Sequence, residues 1–241
     1  MKLIVLLCAC LLPAGVLFSQ QQKLTITPLH GDLYVYTTWQ PVGGSLFPSN
    51  SLYLVTGKGI VMIDTPWDTT QLQPLLDSMQ ARHHQQPVMS ISTHFHADRT
   101  AGLNWLRAHG VATWSSAYTK QLCIERNEEQ AANVFTKDTT FTVGNYSFQA
   151  FYPGPGHTKD NIVVWFGKDK VLYGGCFVKS TEAKNLGNLN DADAKAWPAS
   201  LRKVLKQFKP NYVIPGHQGW ENKRSLEHTL HLLEEHAKKQ S

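Results

Sequence analysis

The sequence predicts a layered α/β architecture, and three observations carry that prediction. β-rich runs alternate with amphipathic helical stripes along the chain. Both halves follow the same plan, hairpin strands, then a helix, a short strand and another helix. No low-complexity linker divides the 241 residues. Hydrophobic residues make up 42% and charged residues 17%, a composition that supports a packed core and excludes wholesale disorder.

The chain opens with Met1-Lys2 and an apolar run from Leu3 to Phe18, followed by Ser19-Gln20-Gln21-Gln22. A transmembrane helix needs about 20 apolar residues. The shorter run therefore reads as a signal peptide over residues 1–19, so that the mature chain, 20–241, is exported with no lasting membrane association. Cleavage removes Cys8 and Cys10 and leaves Cys123 and Cys176.

Thr38 to Pro48 reads as a hairpin turning at Gly43-Gly44, with Trp39, Val42, Leu46 and Phe47 as apolar groups near an exposed tip. Tyr53-Leu54-Val55 and Ile60–Ile63 are strands split by Gly57-Lys58-Gly59. Leu72, Leu75, Leu76 and Met79 recur at helical spacing, Pro87–Ile91 is a short strand, and Gly102–His109 is a helix. Ser115 or Ser116 can cap a helix running through Cys123. Strands follow at Thr140–Val143, Tyr146–Tyr152, Ile162–Phe166 and Val171–Tyr173. Leu201, Val204, Leu205 and Phe208 stripe a helix, Asn211–Ile214 is a strand, and Leu226, Leu230 and Leu233 stripe the last helix.

The formal charge is +5, but the basic residues are scattered, so no nucleic-acid footprint is visible. The unusual count is eleven histidines. His94-Phe95-His96-Ala97-Asp98 follows an apolar strand, and its spacing by two projects three donors to one side of an extended backbone. His157, Cys176 and His217 each follow a β-rich run through a Gly or Pro turn. Metal-capable side chains thus recur at four strand ends, drawn from both halves, where α/β folds place their sites. The halves must share one site, so residues 20–241 read as a single domain of two pseudo-symmetric halves.

The six donors divide into a three-histidine set, His94, His96 and His157, and a second set of Asp98, Cys176 and His217. An exported chain favours a Cys123–Cys176 disulfide. A sulfur bound to zinc cannot be half of one, so Cys123 is expected as a free, buried helix residue. His83-His84 ends a helix, where positive charge is favourable. His228 and His231 lie three apart on the last helix with no third donor, and are assigned no metal.

The order His94-x-His96-x-Asp98, His157, Cys176, His217 resembles the metallo-β-lactamase superfamily. Within it the pattern is similar to subclass B1, the di-zinc class B β-lactamases. The likeness spans essentially the whole mature chain, through Ile63-Asp64-Thr65-Pro66-Trp67, Gly156-His157-Thr158, Gly174-Gly175-Cys176, Gly187-Asn188 and Pro215-Gly216-His217. Thioesterases and nucleases of the superfamily carry a histidine where Arg99 stands and a bridging aspartate where Cys176 stands.

The resemblance implies a four-layer αββα sandwich, two β-sheets face to face with helices outside, that binds two zinc ions. It implies hydrolysis of the β-lactam ring amide by a metal-bound hydroxide, which gives antibiotic resistance. Asp98 would orient the hydroxide, Asn188 would donate to the developing oxyanion, and Lys179 would pair with the substrate carboxylate. Asp64 would support the metal loop and Arg99 would lie under the second zinc. The Thr38–Pro48 hairpin looks like a mobile flap, with Trp39 among its substrate contacts. A periplasmic monomer that accepts carbapenems follows from the same likeness. The rivals are a secreted hydrolase of a lactone or thioester, and a non-catalytic zinc module, which would close each site with four ligands.

Overall fold

The structure, a computed structural model, describes residues 24–240; the expected signal peptide lies outside them. The first half contributes β1 (Thr25–His30), β2 (Leu33–Val42), β3 (Ser45–Thr56), β4 (Gly59–Ile63), α1 (Leu72–His83), β5 (Pro87–Ile91), α2 (Ala97–Thr100), α3 (Leu103–Ala108), β6 (Ala112–Ser116), α4 (Ala117–Arg126) and β7 (Asn133–Phe135). The second contributes β8 (Thr139–Val143), β9 (Tyr146–Phe151), β10 (Val163–Phe166), β11 (Val171–Gly175), α5 (Trp197–Gln207), β12 (Tyr212–Pro215) and α6 (Ser225–Lys238).

β1 to β7 form a seven-stranded sheet in sequence order, and the other sheet has five strands in the order β12-β11-β10-β9-β8. In the larger sheet β1 to β4 pair antiparallel and β4 to β7 pair parallel. In the smaller one only β11 and β12 are parallel.

The pattern of β4 explains the layering. All five of its residues, Gly-Ile-Val-Met-Ile, are buried, so the strand has no polar face. Val61 and Ile63 pack with Val164, Phe166 and Tyr173 of the other sheet. Ile60 and Met62 face the opposite way, onto Leu72, Leu75, Leu76 and Met79 of α1. On the far side, Val163, Leu172 and Val213 meet Trp197, Leu201 and Val204 of α5 and Leu226 and Leu233 of α6. Two apolar faces per sheet thus produce an αββα sandwich. No helix among the described residues is long and apolar enough to cross a membrane.

The expected hairpins form. Gly43 and Gly44 both take positive φ, 57° and 81°, and join β2 to β3 with Val42 opposite Ser45. Ser116 caps α4 by accepting the Thr119 N–H at 2.9 Å. Other boundaries differ from expectation. The helix expected from Gly102 begins at Leu103, with Gly102 as its cap after the separate turn α2. α4 continues past Cys123 to Arg126, until Asn127 turns left-handed. β1, β6 and β7 have no strong β pattern of their own; β6 is Ala-Thr-Trp-Ser-Ser, and pairing with β5 makes it a strand.

Candidate metal centre

The His94–Asp98 motif runs from the loop after β5 into the first turn of α2, at the end of a parallel strand. Asp64, at the end of β4, holds that loop. Its backbone is left-handed, φ 66°, and its fully buried carboxylate accepts Thr93 N–H at 2.7 Å and Thr93 Oγ1–H at 2.9 Å. Tyr173 of β11 donates to the same carboxylate at 2.7 Å. Burial lifts the Asp64 carboxyl to about 6, although Arg99, Tyr173 and Thr93 pull the other way.

The imidazoles of His94, His96 and His157 converge. His96 Nδ1 lies 3.1 Å from His94 Nε2 and 3.2 Å from His157 Nε2. Such spacings are close to the edges of a tetrahedron with zinc–nitrogen bonds of about 2.0–2.1 Å. Burial and the neighbouring His96 ring keep His94 well below the usual histidine range. Burial and the Lys179 charge do the same for His157. Neutral rings are the form that ligates metal.

Asp98, Cys176 and His217 make a second group. His217 Nε2 lies 3.1 Å from Asp98 Oδ2 and 3.2 Å from the Cys176 sulfur, and Cys176 lies 3.4 Å from Asp98. Burial opposes ionisation of Asp98, yet the Arg99 guanidinium and the His217 ring hold it well below the usual carboxylate range. Burial pulls His217 down, but Cys176 and Asp98 beside it push it up to about 9. Nδ1 of His217 donates to the Pro48 carbonyl at 2.8 Å, leaving Nε2 turned to the donors. Gly216 makes the approach possible, because a Cβ there would stand 2.7 Å from the Cys176 nitrogen.

Beneath the second group lies Arg99, without solvent exposure. It donates to the Asn50 carbonyl at 2.8 Å, to Cys176 at 3.0 Å and to the Gly216 carbonyl at 3.0 Å, and pairs with Asp98 at 2.9 Å. Position and burial fit the expectation of a support under the second donor group. Among the described residues Cys123 and Cys176 form no disulfide, and Cys123 is buried in α4, the place expected for it.

A cavity of about 790 Å³ opens over the donors, lined by His96, Asp98, His157 and His217, with Lys179, Asn188 and the apolar Val42, Phe47 and Trp67 among its walls. Lys179 Nζ lies 5.4 Å over the Trp197 ring, and burial lowers its ammonium pKa. Asn188 accepts the Asn190 N–H at 3.0 Å through Oδ1, which leaves its amide NH2 for a ligand. Trp39 stands apart from this wall. Its backbone is bonded both ways to the Gln71 side chain, at 3.1 and 2.7 Å. From the hairpin it is Val42 and Phe47 that line the cavity, and the Phe47 ring packs 4.9 Å from that of His217.

Asp191 joins the site without a sequence signal of its own. Its Oδ2 lies 3.1 Å from His96 Nε2, and its Oδ1 accepts from Arg126 at 2.8 Å. The carboxylate fixes His96 with Nδ1 toward the other two rings. An Asp-rich loop carries no local signal that one member reaches a histidine 95 residues away.

Among known proteins, the profile of the metallo-β-lactamase superfamily matches residues 44–217. A metallo-β-lactamase type 2 of Elizabethkingia meningoseptica is 40% identical over 226 residues, covering 92% of this chain and 90% of that protein. Metallo-β-lactamase IND-1 of Chryseobacterium indologenes is 36% identical, with 86% and 87% covered. The crystal structure of metallo-β-lactamase IND-7 superposes with a TM-score of 0.86 at 35% identity, over 89% of this chain and 100% of that one. A metallo-β-lactamase from Pontibacter korlensis gives 0.85 at 34% identity, over 88% and 99%. Sheet order, donor order and these likenesses agree: the chain belongs to the metallo-β-lactamase superfamily, alongside its B1-like enzymes.

Proposed function

We infer that this chain is a zinc-dependent β-lactamase, which opens the ring amide of β-lactam antibiotics and so confers resistance. The observation that carries the reading is the convergence of the His94, His96 and His157 rings beside the Asp98, Cys176 and His217 group, under a cavity whose wall presents Lys179 and Asn188. His94, His96 and His157 would hold one zinc ion, and Asp98, Cys176 and His217 a second. The donor set suits zinc: four imidazoles, one thiol and one carboxylate, with His96 Nδ1 3.1 Å from His94 Nε2 and His217 Nε2 3.1 Å from Asp98 Oδ2. Bound there, zinc supplies a Lewis acid and lowers the pKa of water from about 15.7 toward about 7.

The chain's own residues do the rest. Asp98, kept ionised by Arg99, accepts a hydrogen bond from the attacking water and aims it at the ring carbonyl. The Asn188 amide donates to the carbonyl oxygen as negative charge develops there. Lys179 binds the substrate carboxylate as a point charge. Val42, Phe47 and Trp67 cover the apolar part of the substrate and exclude water. Three ligands per metal leave positions open for water and substrate, which disfavours a closed structural zinc module.

The same reading makes the protein a periplasmic monomer, freed by cleavage near residue 19 and folded as one domain over 20–241, with carbapenems among its substrates. The test is direct. Purified mature protein should hydrolyse a chromogenic cephalosporin and a carbapenem, and lose both activities to a zinc chelator. Protein carrying two zinc ions with no turnover would reject the reading.

A further inference from the structure

The segment that carries Lys179 lies in neither helix nor strand, yet it is held at several points by bonds from α6 and the β12–α6 loop. Thr229, on the buried face of α6, has no solvent exposure. Its Oγ1 donates to the Ser225 carbonyl at 2.6 Å and accepts the Lys179 N–H at 2.8 Å. The adjacent His228 donates from Nε2 to the Ala183 carbonyl at 2.8 Å. On the opposite side, Ser180 donates to the Gly219 carbonyl at 2.5 Å, and the Glu182 carboxylate accepts the Gly219 N–H at 2.9 Å. Packing does not call for a hydroxyl at 229, where the helix face carries Leu226 and Leu233 and valine would fill the same volume.

We propose that Thr229 and His228 are positioning residues for substrate recognition, which fix the Lys179 backbone so that its ammonium stands at a set place on the cavity wall. This rests on the reading of Lys179 as the partner of the substrate carboxylate. A flexible four-carbon side chain places its charge only as well as its own backbone is placed. Two consecutive α6 residues gripping positions 179 and 183 supply that placement from outside the cavity, where neither touches substrate.

The test uses zinc-loaded protein and two readouts. Thr229→Val removes the acceptor without changing volume, and Thr229→Ser restores it. Thr229→Val and His228→Ala should speed amide hydrogen exchange at 179–183 by roughly tenfold, as for a lost hydrogen bond. They should raise KM for a carboxylate-bearing β-lactam about 3–10-fold with kcat nearly unchanged, the mark of weakened uniform binding. Thr229→Ser should return both values to the wild type. In a Lys179→Ala background Thr229→Val should leave KM where it is, since coupled residues are not additive. An equal KM effect in that background, or faster exchange with no KM effect, would overturn the proposal. Wild-type protein inactive on every β-lactam would instead overturn the functional reading, and the exchange data would still report whether α6 holds the segment.

Discussion

The Arg99 guanidinium reaches the Cys176 sulfur at 3.0 Å with no exposure to solvent. A buried cation of this kind is held by its partners. Asp98 lies at 2.9 Å and Asp64 at 3.5 Å, and these charges keep Arg99 protonated against the cost of burial. One side chain therefore ties the end of β4, the donor motif, the Cys176 turn and the β12–α6 loop into one piece.

Replacing Arg99 with methionine should leave two buried carboxylates without their cation. Breaking a buried pair this way costs about 3–5 kcal/mol. Urea unfolding of the metal-free variant should show a loss of that order, with the m-value unchanged. A loss below about 1 kcal/mol would mean that water or another cation replaces the guanidinium.

Asp64→Asn should act on the metal loop from outside it. An amide NH2 would meet the donors Thr93 Oγ1, Tyr173 OH and Arg99, which now all point at one carboxylate. Loss of such a supporting partner lowers metal affinity about 10–100-fold. Competition against a chelator of known affinity measures it, and unchanged affinity would dissociate Asp64 from the site.

The hairpin can be divided by residue. Phe47 lines the cavity and packs on His217, whereas the Trp39 backbone is pinned to Gln71 away from the wall. Phe47→Ala should therefore raise the KM for a cephalosporin several-fold more than Trp39→Ala does. Steady-state kinetics on the two variants decide between them, and the reverse order would return the substrate contact to Trp39.

Thiol chemistry tests the state of both cysteines. Burial pushes the Cys123 thiol up to about 12, so the folded protein keeps it neutral. Alkylation of folded protein should stay slow at Cys123 from pH 7 to 9, because the thiolate forms there only on opening. Denatured, unreduced mature protein should titrate as two free thiols, Cys123 and Cys176. Finding none would establish a disulfide and remove Cys176 from the donor set.

Much of this molecule could be read before folding. The helical stripe of Leu72, Leu75, Leu76 and Met79 and the hairpin at Gly57-Lys58-Gly59 are local patterns, and α1 and the β3–β4 pair follow them. The six donors were legible because each ends a β-rich run, where a strand's direction decides what its next residues face. The sequence by itself determined which side chains are available and which segments alternate. Tertiary structure alone decided that Asp191 meets His96, that the Pro48 carbonyl accepts a hydrogen bond from His217 169 residues away, and that Thr229 grips Lys179. It also placed Phe47 rather than Trp39 on the cavity wall. Such pairings join residues far apart in the chain, and no periodicity marks them. They exist only because two sheets, each apolar on both faces, must stack and bring the ends of their strands to one edge.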